Sequence, residues 1–326
     1  MKKLFTVFLL LTIFCCSKEE SKNIKLSGPI FGTSFNIQYY SEDDVNYVKQ
    51  FDSLFAVVNK SLSTYMTDSD ISKLNRNEIT KVDNHFENVF KASKIIYRQT
   101  EGAFDPTIGN VVNAWNFGAE KNKFLTDSTT IDSLMRFVGY NRVGLVDRHI
   151  KKNEASYLEF NAIAKGYGID VIADYLESKG VDNYIVDIGG DMRASGINFE
   201  KKKEWTVGID DPNFDGTQSF SKVIALNNEG MATSGTYRKF NTDIEGNRYA
   251  HIINTKTGYP TKTNILSVSV IAPNCMLADG YATAFQAMGI EKVTWFLNSH
   301  PELKVYFIYE NDNQELKTLT LNDFPE

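Results

Sequence analysis

Cysteine is scarce: three occur in 326 residues, and two of them, Cys15 and Cys16, lie together near the N-terminus. Cys275 is then the one thiol outside that leader, so no internal disulfide framework can form and the fold must stand on its apolar core. Long apolar runs are missing too, and the run at 4–14 is too short to cross a bilayer as a helix. Positive charge is not in excess, with 35 Lys and Arg against 41 Asp and Glu for a net charge of -6. Without a basic stripe interleaved with aromatics, this balance excludes nucleic acid as the expected partner. No Pro/Gly/Ser-rich linker, low-complexity run or short-period repeat divides the chain beyond residue 28, which argues against separable domains and solenoids. The Gly-x-x-x-x-Gly-Lys-Ser/Thr spacing of a Walker loop is absent as well. What remains is ordinary globular composition, 42% hydrophobic and 23% charged, long enough to bury a large core.

Lys2 and Lys3 precede the apolar run, and Cys15, Cys16 and the polar Ser17-Lys18-Glu19-Glu20 follow it. That order is the order of a targeting segment, and an apolar run ending at Cys resembles a bacterial lipoprotein signal. Cys16 is the expected lipid carrier, because small Cys15 precedes it and Ile13 stands three positions upstream, whereas Cys15 would follow bulky Phe14. An ordinary secretory signal and an uncleaved anchor fit the apolar stretch as well. On the lipoprotein reading residues 1–15 form the signal peptide, 16–27 the lipidated Cys and a polar tether, and 28–326 the folded domain on the periplasmic side of a bacterial membrane. Lys18-Glu19-Glu20 resembles the acidic tag that carries some Bacteroidetes lipoproteins to the cell surface.

Along the folded part, 31–39 alternates as a strand does. Val45, Val48, Phe51, Leu54, Phe55 and Val58 recur at helical spacing behind Ser41 as cap. A second amphipathic helix is expected from Asn84, with Glu87 completing a capping box. Further helices are expected at 131–138, 164–178 and 292–297. Strands are expected at 184–188, 205–209, 222–226, 266–271, 305–309 and 316–321, with paired strands within 143–160. Hairpins interrupt the alternation of strands and helices, so the class is α+β: a single intertwined unit with mixed or antiparallel sheets and flanking helices.

Four stretches carry candidate chemistry. Asp279 and Thr283 stand four apart in a helical stretch and so share a face. Their oxygens are hard ligands suited to Mg²⁺, although an Asp there also suits a helix cap. Glu159 ends a strand-like segment and is followed by small residues and Lys165-Gly166 at a helix start, which brings backbone and a cation toward a phosphate, or leaves a solvated Lys on a tight entry. Thr233-Ser234-Gly235 with Arg238 suits a phosphate or ribose. His251, one of four histidines, is either a structural residue beside Ile252 and Ile253 or a proton carrier beside a metal.

Six motifs in order add a resemblance: Gly-Ala-Phe-Asp-Pro-Thr at 102–107, Ala-Lys-Gly-Tyr-Gly-Ile-Asp at 164–170, Asp-Ile-Gly-Gly-Asp at 187–191, Thr-Ser-Gly at 233–235, His-Ile-Ile-Asn-x-x-Thr-Gly-Tyr-Pro at 251–260 and Ala-Asp-Gly-Tyr-Ala-Thr at 278–283. Together they resemble the ApbE family of FAD:protein FMN transferases. The resemblance implies that Asp279, Thr283 and the backbone carbonyl of Ala162 hold Mg²⁺. It implies FAD contacts at Phe31, Ala103, Phe104, Asp105, Glu159, Lys165 and Ile253, with Tyr65 stacking on the flavin. His251 matches a residue thought to assist proton transfer, and Lys165 would neutralise phosphate. The implied activity is Mg²⁺-dependent transfer of FMN from FAD to a Thr or Ser hydroxyl of an acceptor redox protein, releasing AMP. Two alternatives are an FAD pyrophosphatase using the same site and a non-catalytic flavin-binding lipoprotein. Phe31 stands where the family often has Met, Thr236 where it often has Asp, and Ala282 where some members add an acidic metal ligand.

Overall fold

The computed structural model describes residues 21–120, 125–213, 217, 219–236, 240–242 and 248–326. The leader with Cys15 and Cys16, and Arg238, lie outside these residues. The main element is an eight-stranded sheet of β1 (Lys22–Ile30), β2 (Thr33–Ser41), β3 (Tyr184–Ile188), β4 (Asp191–Ser195), β5 (Glu229–Gly235), β6 (Ile265–Ala272), β7 (Lys304–Glu310) and β8 (Leu316–Leu321). Spatial order equals chain order, and every neighbouring pair is antiparallel. Everything else is an excursion between adjacent strands. Between β2 and β3 come α1 (Val48–Leu62), α2 (Asp70–Asn75), α3 (Asn84–Gln99), α4 (Gly109–Ala114), α5 (Ser128–Met135) and α6 (Ala164–Ser178). A small antiparallel sheet of Ile197–Asn198, Lys203–Asp210 and Phe220–Leu226 lies between β4 and β5, and α7 (Cys275–Met288) and α8 (Ile290–Leu297) lie between β6 and β7.

The period of two along each strand sorts the core into two layers. Val268 and Val270 of β6 join Phe86 and Val89 of α3 and Phe285 of α7, whereas Ile271 joins Trp205, Val207 and Ile224 of the small sheet. Helices therefore cover one face and the small sheet the other, so β6 is apolar on both sides and reads as a near-continuous run, Ile-Leu-Ser-Val-Ser-Val-Ile-Ala. Burying each large apolar side chain of this kind contributes about 1.5–3 kcal/mol.

Several local expectations shift. The segment read as a polar tether is largely strand β1, because Ile24, Leu26 and Ile30 alternate and pack against the layer containing Phe51 and Phe55. Phe31 and Gly32, read as the start of a strand, form the two-residue turn of the β1–β2 hairpin, with φ of 50° and 75°. Ser41 ends β2 rather than capping a helix, and α1 starts at Val48 without a side-chain cap. Asp83, one residue before the expected box, caps α3 by accepting from the Phe86 N–H at 2.8 Å. Glu87 instead pairs with Lys91 at 2.7 Å, one turn along. Of the strands expected within 143–160, only the hairpin Gly144–Val146 with His149–Lys151 forms.

Candidate functional site

Two helices that start side by side build the centre of the site. The N-terminus of α7 has its first amides satisfied from outside the helix, as such orphan donors require. Asn274 accepts from the Leu277 N–H at 2.9 Å, while Asp170 of α6 accepts from the Cys275 and Met276 N–H groups at 2.9 and 2.8 Å. The favour is returned. Asp279, one turn into α7, accepts from the Gly166 N–H at 3.0 Å at the start of α6, a helix with no side-chain cap of its own. Asp279 is thus a cap, but of the neighbouring helix. Gly166 permits this approach: a Cβ there would stand 2.3 Å from the Cys275 carbonyl oxygen and 2.9 Å from the Asp279 Cβ.

Lys165 reaches Asp191 at 2.8 Å, and Asp191 also accepts from the Thr233 N–H at 3.2 Å. Asp191 is placed by the β3–β4 turn, where Gly189 and Gly190 adopt φ of 60° and 91°, angles that suit glycine. Burial raises the Asp279 carboxyl to about 7, the Asp191 carboxylate adds to the rise, and Lys165 opposes it. Burial likewise raises Asp191 against the pull of Lys165. Burial opposes charge on Lys165, yet Asp191 and Asp279 together hold its ammonium above the usual lysine range. Two acids against one base leave this pocket floor short of positive charge. Thr283, on the Asp279 face of α7, has its hydroxyl 3.2 Å from that of Ser234. Ala282 is fully buried in the helix-side core, so position 282 points away from the site.

These groups line a cavity of about 410 Å³ whose walls come from both coverings of the main sheet. His251, Lys165, Ala162, Asp279, Thr283, Tyr65, Ala103, Phe104, Asp105, Glu159 and Ile253 all line it. Tyr65 is 57% exposed, an aromatic face presented to solvent at the edge of the cavity. Phe104 and Ile253 are buried walls. The His251 ring stands edge-on to Phe117, centroids 6.3 Å apart. Asp105 lines the cavity with its carboxylate already engaged: it accepts from the Thr107 N–H and hydroxyl at 2.8 and 2.5 Å and from the Tyr140 N–H at 3.2 Å. Its geometry is that of a loop organiser. Phe31 is the exception among the expected residues. It is not in the cavity wall, and its ring packs edge-on against Phe55, centroids 5.6 Å apart.

Asp191 is a site residue to which its motif alone assigns no role. The signal for Asp191 was the acid directly after Gly-Gly at a strand end. Ser234, expected with Thr233 to suit a phosphate or ribose, lines the cavity, and its alternation on β5 turns its hydroxyl toward Thr283 of α7.

Comparison with known proteins agrees with this geometry. The ApbE family model matches residues 31–307. An FAD:protein FMN transferase of Haemophilus influenzae is 35% identical, the alignment covering 96% of this chain and 95% of that protein. One of Vibrio cholerae is 34% identical, covering 87% and 86%. The solved flavin transferase ApbE from Vibrio cholerae superposes with a TM-score of 0.82 at 32% identity, covering 92% of this chain and 97% of that one. The apo flavinyl transferase ApbE of Pseudomonas stutzeri superposes with a TM-score of 0.81 at 26% identity, covering 92% and 95%. With the family match spanning most of the folded part and relatives aligned nearly end to end, the chain belongs to the ApbE family.

Proposed function

We propose that this enzyme transfers FMN from FAD to a Thr or Ser hydroxyl of an acceptor protein and releases AMP. The observation that carries the reading is that one cavity joins an exposed aromatic, Tyr65, to a floor holding Lys165, Asp191 and Asp279. An aromatic face suits an isoalloxazine ring, and a mixed-charge floor suits a pyrophosphate with its counter-ion. Relatives bearing the name FAD:protein FMN transferase support the same reading.

Among the described residues no three His, Cys, Asp or Glu side chains cluster as a metal site. The donors at hand are of another kind: one buried carboxylate, hydroxyls and a carbonyl, the hard oxygens that Mg²⁺ prefers. They fit the ion, and the raised Asp279 carboxyl is a group whose charge a cation would stabilise. Asp279, Thr283 and the Ala162 carbonyl would hold Mg²⁺, which when bound supplies charge neutralisation to the phosphate oxygens.

The chain's own residues do the rest. Lys165, held by Asp191, presents a fixed ammonium to the pyrophosphate. Tyr65 and the walls at Phe104 and Ile253 orient the flavin end. His251 takes the proton of the acceptor hydroxyl as its oxygen bonds to the FMN phosphorus, while the bond to the bridging oxygen breaks and that oxygen leaves with AMP. The anchor belongs to the same proposal: lipid on Cys16, supported by the leader pattern, would hold the enzyme at the periplasmic face of a membrane where acceptor redox proteins reside.

Incubating the protein with FAD, Mg²⁺ and an acceptor domain tests the reading by mass spectrometry. FMN esterified to the acceptor, lost in Asp279→Ala, supports it. Free FMN alone identifies a pyrophosphatase, and FAD left intact identifies a flavin-binding protein. Metabolic labelling with palmitate, compared between wild type and Cys16→Ser, tests the anchor.

A further inference from the structure

The small sheet opens with a hairpin, Ile197–Asn198 paired with Lys203 and Glu204, whose flank is apolar and whose turn is basic. Ile197 and Phe199 are 39% and 40% exposed. Lys201, Lys202 and Lys203 follow, all exposed, and among the described residues none of the three makes an ion pair. The hairpin is held in place from below. The Phe199 ring lies on that of Tyr40, centroids 4.7 Å apart, and the Tyr40 hydroxyl donates to Asn198 Oδ1 at 2.9 Å and accepts from the Glu200 N–H at 3.1 Å. Asn198 Oδ1 also accepts from the Lys201 N–H at 3.0 Å, which braces the turn. The acids around this tip are engaged: Glu200 by Lys25 at 3.3 Å, Asp44 by Lys22 at 2.7 Å and Glu204 by the Asn227 amide at 3.1 Å. Glu42 and Asp43 lead instead toward α1, whose Phe51 and Phe55 pack with Tyr39 on the opposite face of the main sheet. On a chain of net charge -6 the tip is locally positive. At physiological salt, fields are screened beyond about 8 Å, so the local sign governs any surface that meets it.

The place of the hairpin says which surface that is. Tyr40 is the β2 partner of Asn23, the second residue of β1, so the tip stands beside the point where the chain enters the fold. Lys22 follows Cys16 by six residues, at most about 20 Å of extended chain, and a lipid on Cys16 would keep this corner of the molecule at the headgroups. We propose that the tip at 197–203 seats on the anionic headgroups of the membrane to which Cys16 is anchored, with its lysines at the phosphates and its apolar flank at the acyl boundary. The strand Lys203–Asp210 runs from the tip to the main cavity, whose wall includes Gly208, Ile209 and Asp210. A seated tip therefore holds the cavity within about 20 Å of the bilayer and fixes the height at which an acceptor hydroxyl is met. The orienting role rests on the proposed anchor; the affinity for anionic lipid does not, and is measured by binding alone.

Every strand and helix described lies within residues 22–321, so the chain from Ser17 onward, without lipid, serves for the test. Its co-sedimentation is measured with vesicles of phosphatidylcholine alone and of phosphatidylcholine mixed with anionic phosphatidylglycerol. Wild type is expected to bind the mixed vesicles and not the neutral ones. The Lys201→Gln/Lys202→Gln/Lys203→Gln variant should bind the mixed vesicles roughly a hundred-fold more weakly, with circular dichroism and transfer to a soluble acceptor domain unchanged. Lys91→Gln/Lys179→Gln/Lys292→Gln, which removes the same charge from three exposed lysines of the helix layer, should bind as wild type does. Lys202→Gln alone, about five-fold weaker, carries the test if the triple variant does not fold. Equal binding of wild type to both vesicles, or an equal loss in the two triple variants, overturns the proposal. Failure of the anchor reading shows elsewhere, as palmitate labelling that Cys16→Ser leaves unchanged although the preference for anionic vesicles stands.

Discussion

Asp170 offers a measurement in which two effects of opposite sign can be separated by pH. Its carboxyl is 6% exposed, accepts two N–H groups at the start of α7 and lies 3.3 Å from Arg193. Arg193 is shared with Asp174 at 2.8 Å and Glu177 at 2.9 Å. Burial outweighs the two amides and the guanidinium and raises the group from 3.8 to about 6. An acid raised on folding is protonated in the native state, between those two values, where the unfolded chain has released its proton. Stability therefore falls as pH rises from about 4 to about 6, by about 3 kcal/mol from this group, and stays lowered above that. Asp170→Asn removes the titration. Its single carbonyl oxygen serves one of the two amides well, and the amide left over costs about 1–3 kcal/mol at every pH. The variant should thus be less stable than wild type by about that amount near pH 4 and equal to it or slightly more stable near pH 7.5. Urea unfolding at both ends of the range measures the difference. A flat difference, or a wild type that gains on the variant as pH rises, would refute the reasoning and mean that Arg193 governs Asp170.

Gly166→Ala should cost about 1–3 kcal/mol in urea unfolding, because the new methyl meets backbone on α7 and cannot be accommodated by a rotamer change. Transfer activity, measured alongside, should fall further than stability does, since the displaced element carries Asp279. Tyr65→Ala should leave stability within about 0.5 kcal/mol, as the ring is more than half exposed. The same change should weaken FAD binding, read by flavin fluorescence, roughly two- to twelve-fold through loss of a ring contact of about 0.5–1.5 kcal/mol; an unchanged affinity would remove Tyr65 from the flavin site. Asp105→Ala strands the buried Thr107 and Tyr140 amides, and each orphan costs about 1–3 kcal/mol. A lowered Tm together with new proteolytic cleavage within 103–108 is the expected pair of observations.

Helices with their information on one face were legible from the chain alone. α6 spans the expected residues, and so does β3, because periodicity and a terminal Gly are local signals. β5 carries no strand signature of its own. Glu-Gly-Met-Ala-Thr-Ser-Gly holds two glycines and little apolar content, and it becomes a central strand through its neighbours β4 and β6. The site divides the same way. Asp279 and Thr283 share a face by helical spacing, so half of the oxygen set could be paired in advance. That Asp279 caps α6, and that Asp170 caps α7, depends on two helices starting side by side across more than a hundred residues of chain, and nothing within either helix encodes it. The expected cap at Ser41 failed for a related reason, since a hydroxyl before a periodic run also suits the end of a strand paired with Lys22.

The hydrogen bond from the Gly166 amide to Asp279 makes one backbone proton a spectroscopic gauge of the site. Its nitrogen and proton resonances sense directly whether the carboxylate is ionised, protonated or shared with another charge, and its exchange with deuterated solvent times the separation of α6 from α7. With 21 glycines in the chain, selective glycine labelling yields a spectrum sparse enough to assign by the Gly166→Ala difference. Occupancy of the pocket floor can then be followed in a protein that has performed no turnover at all.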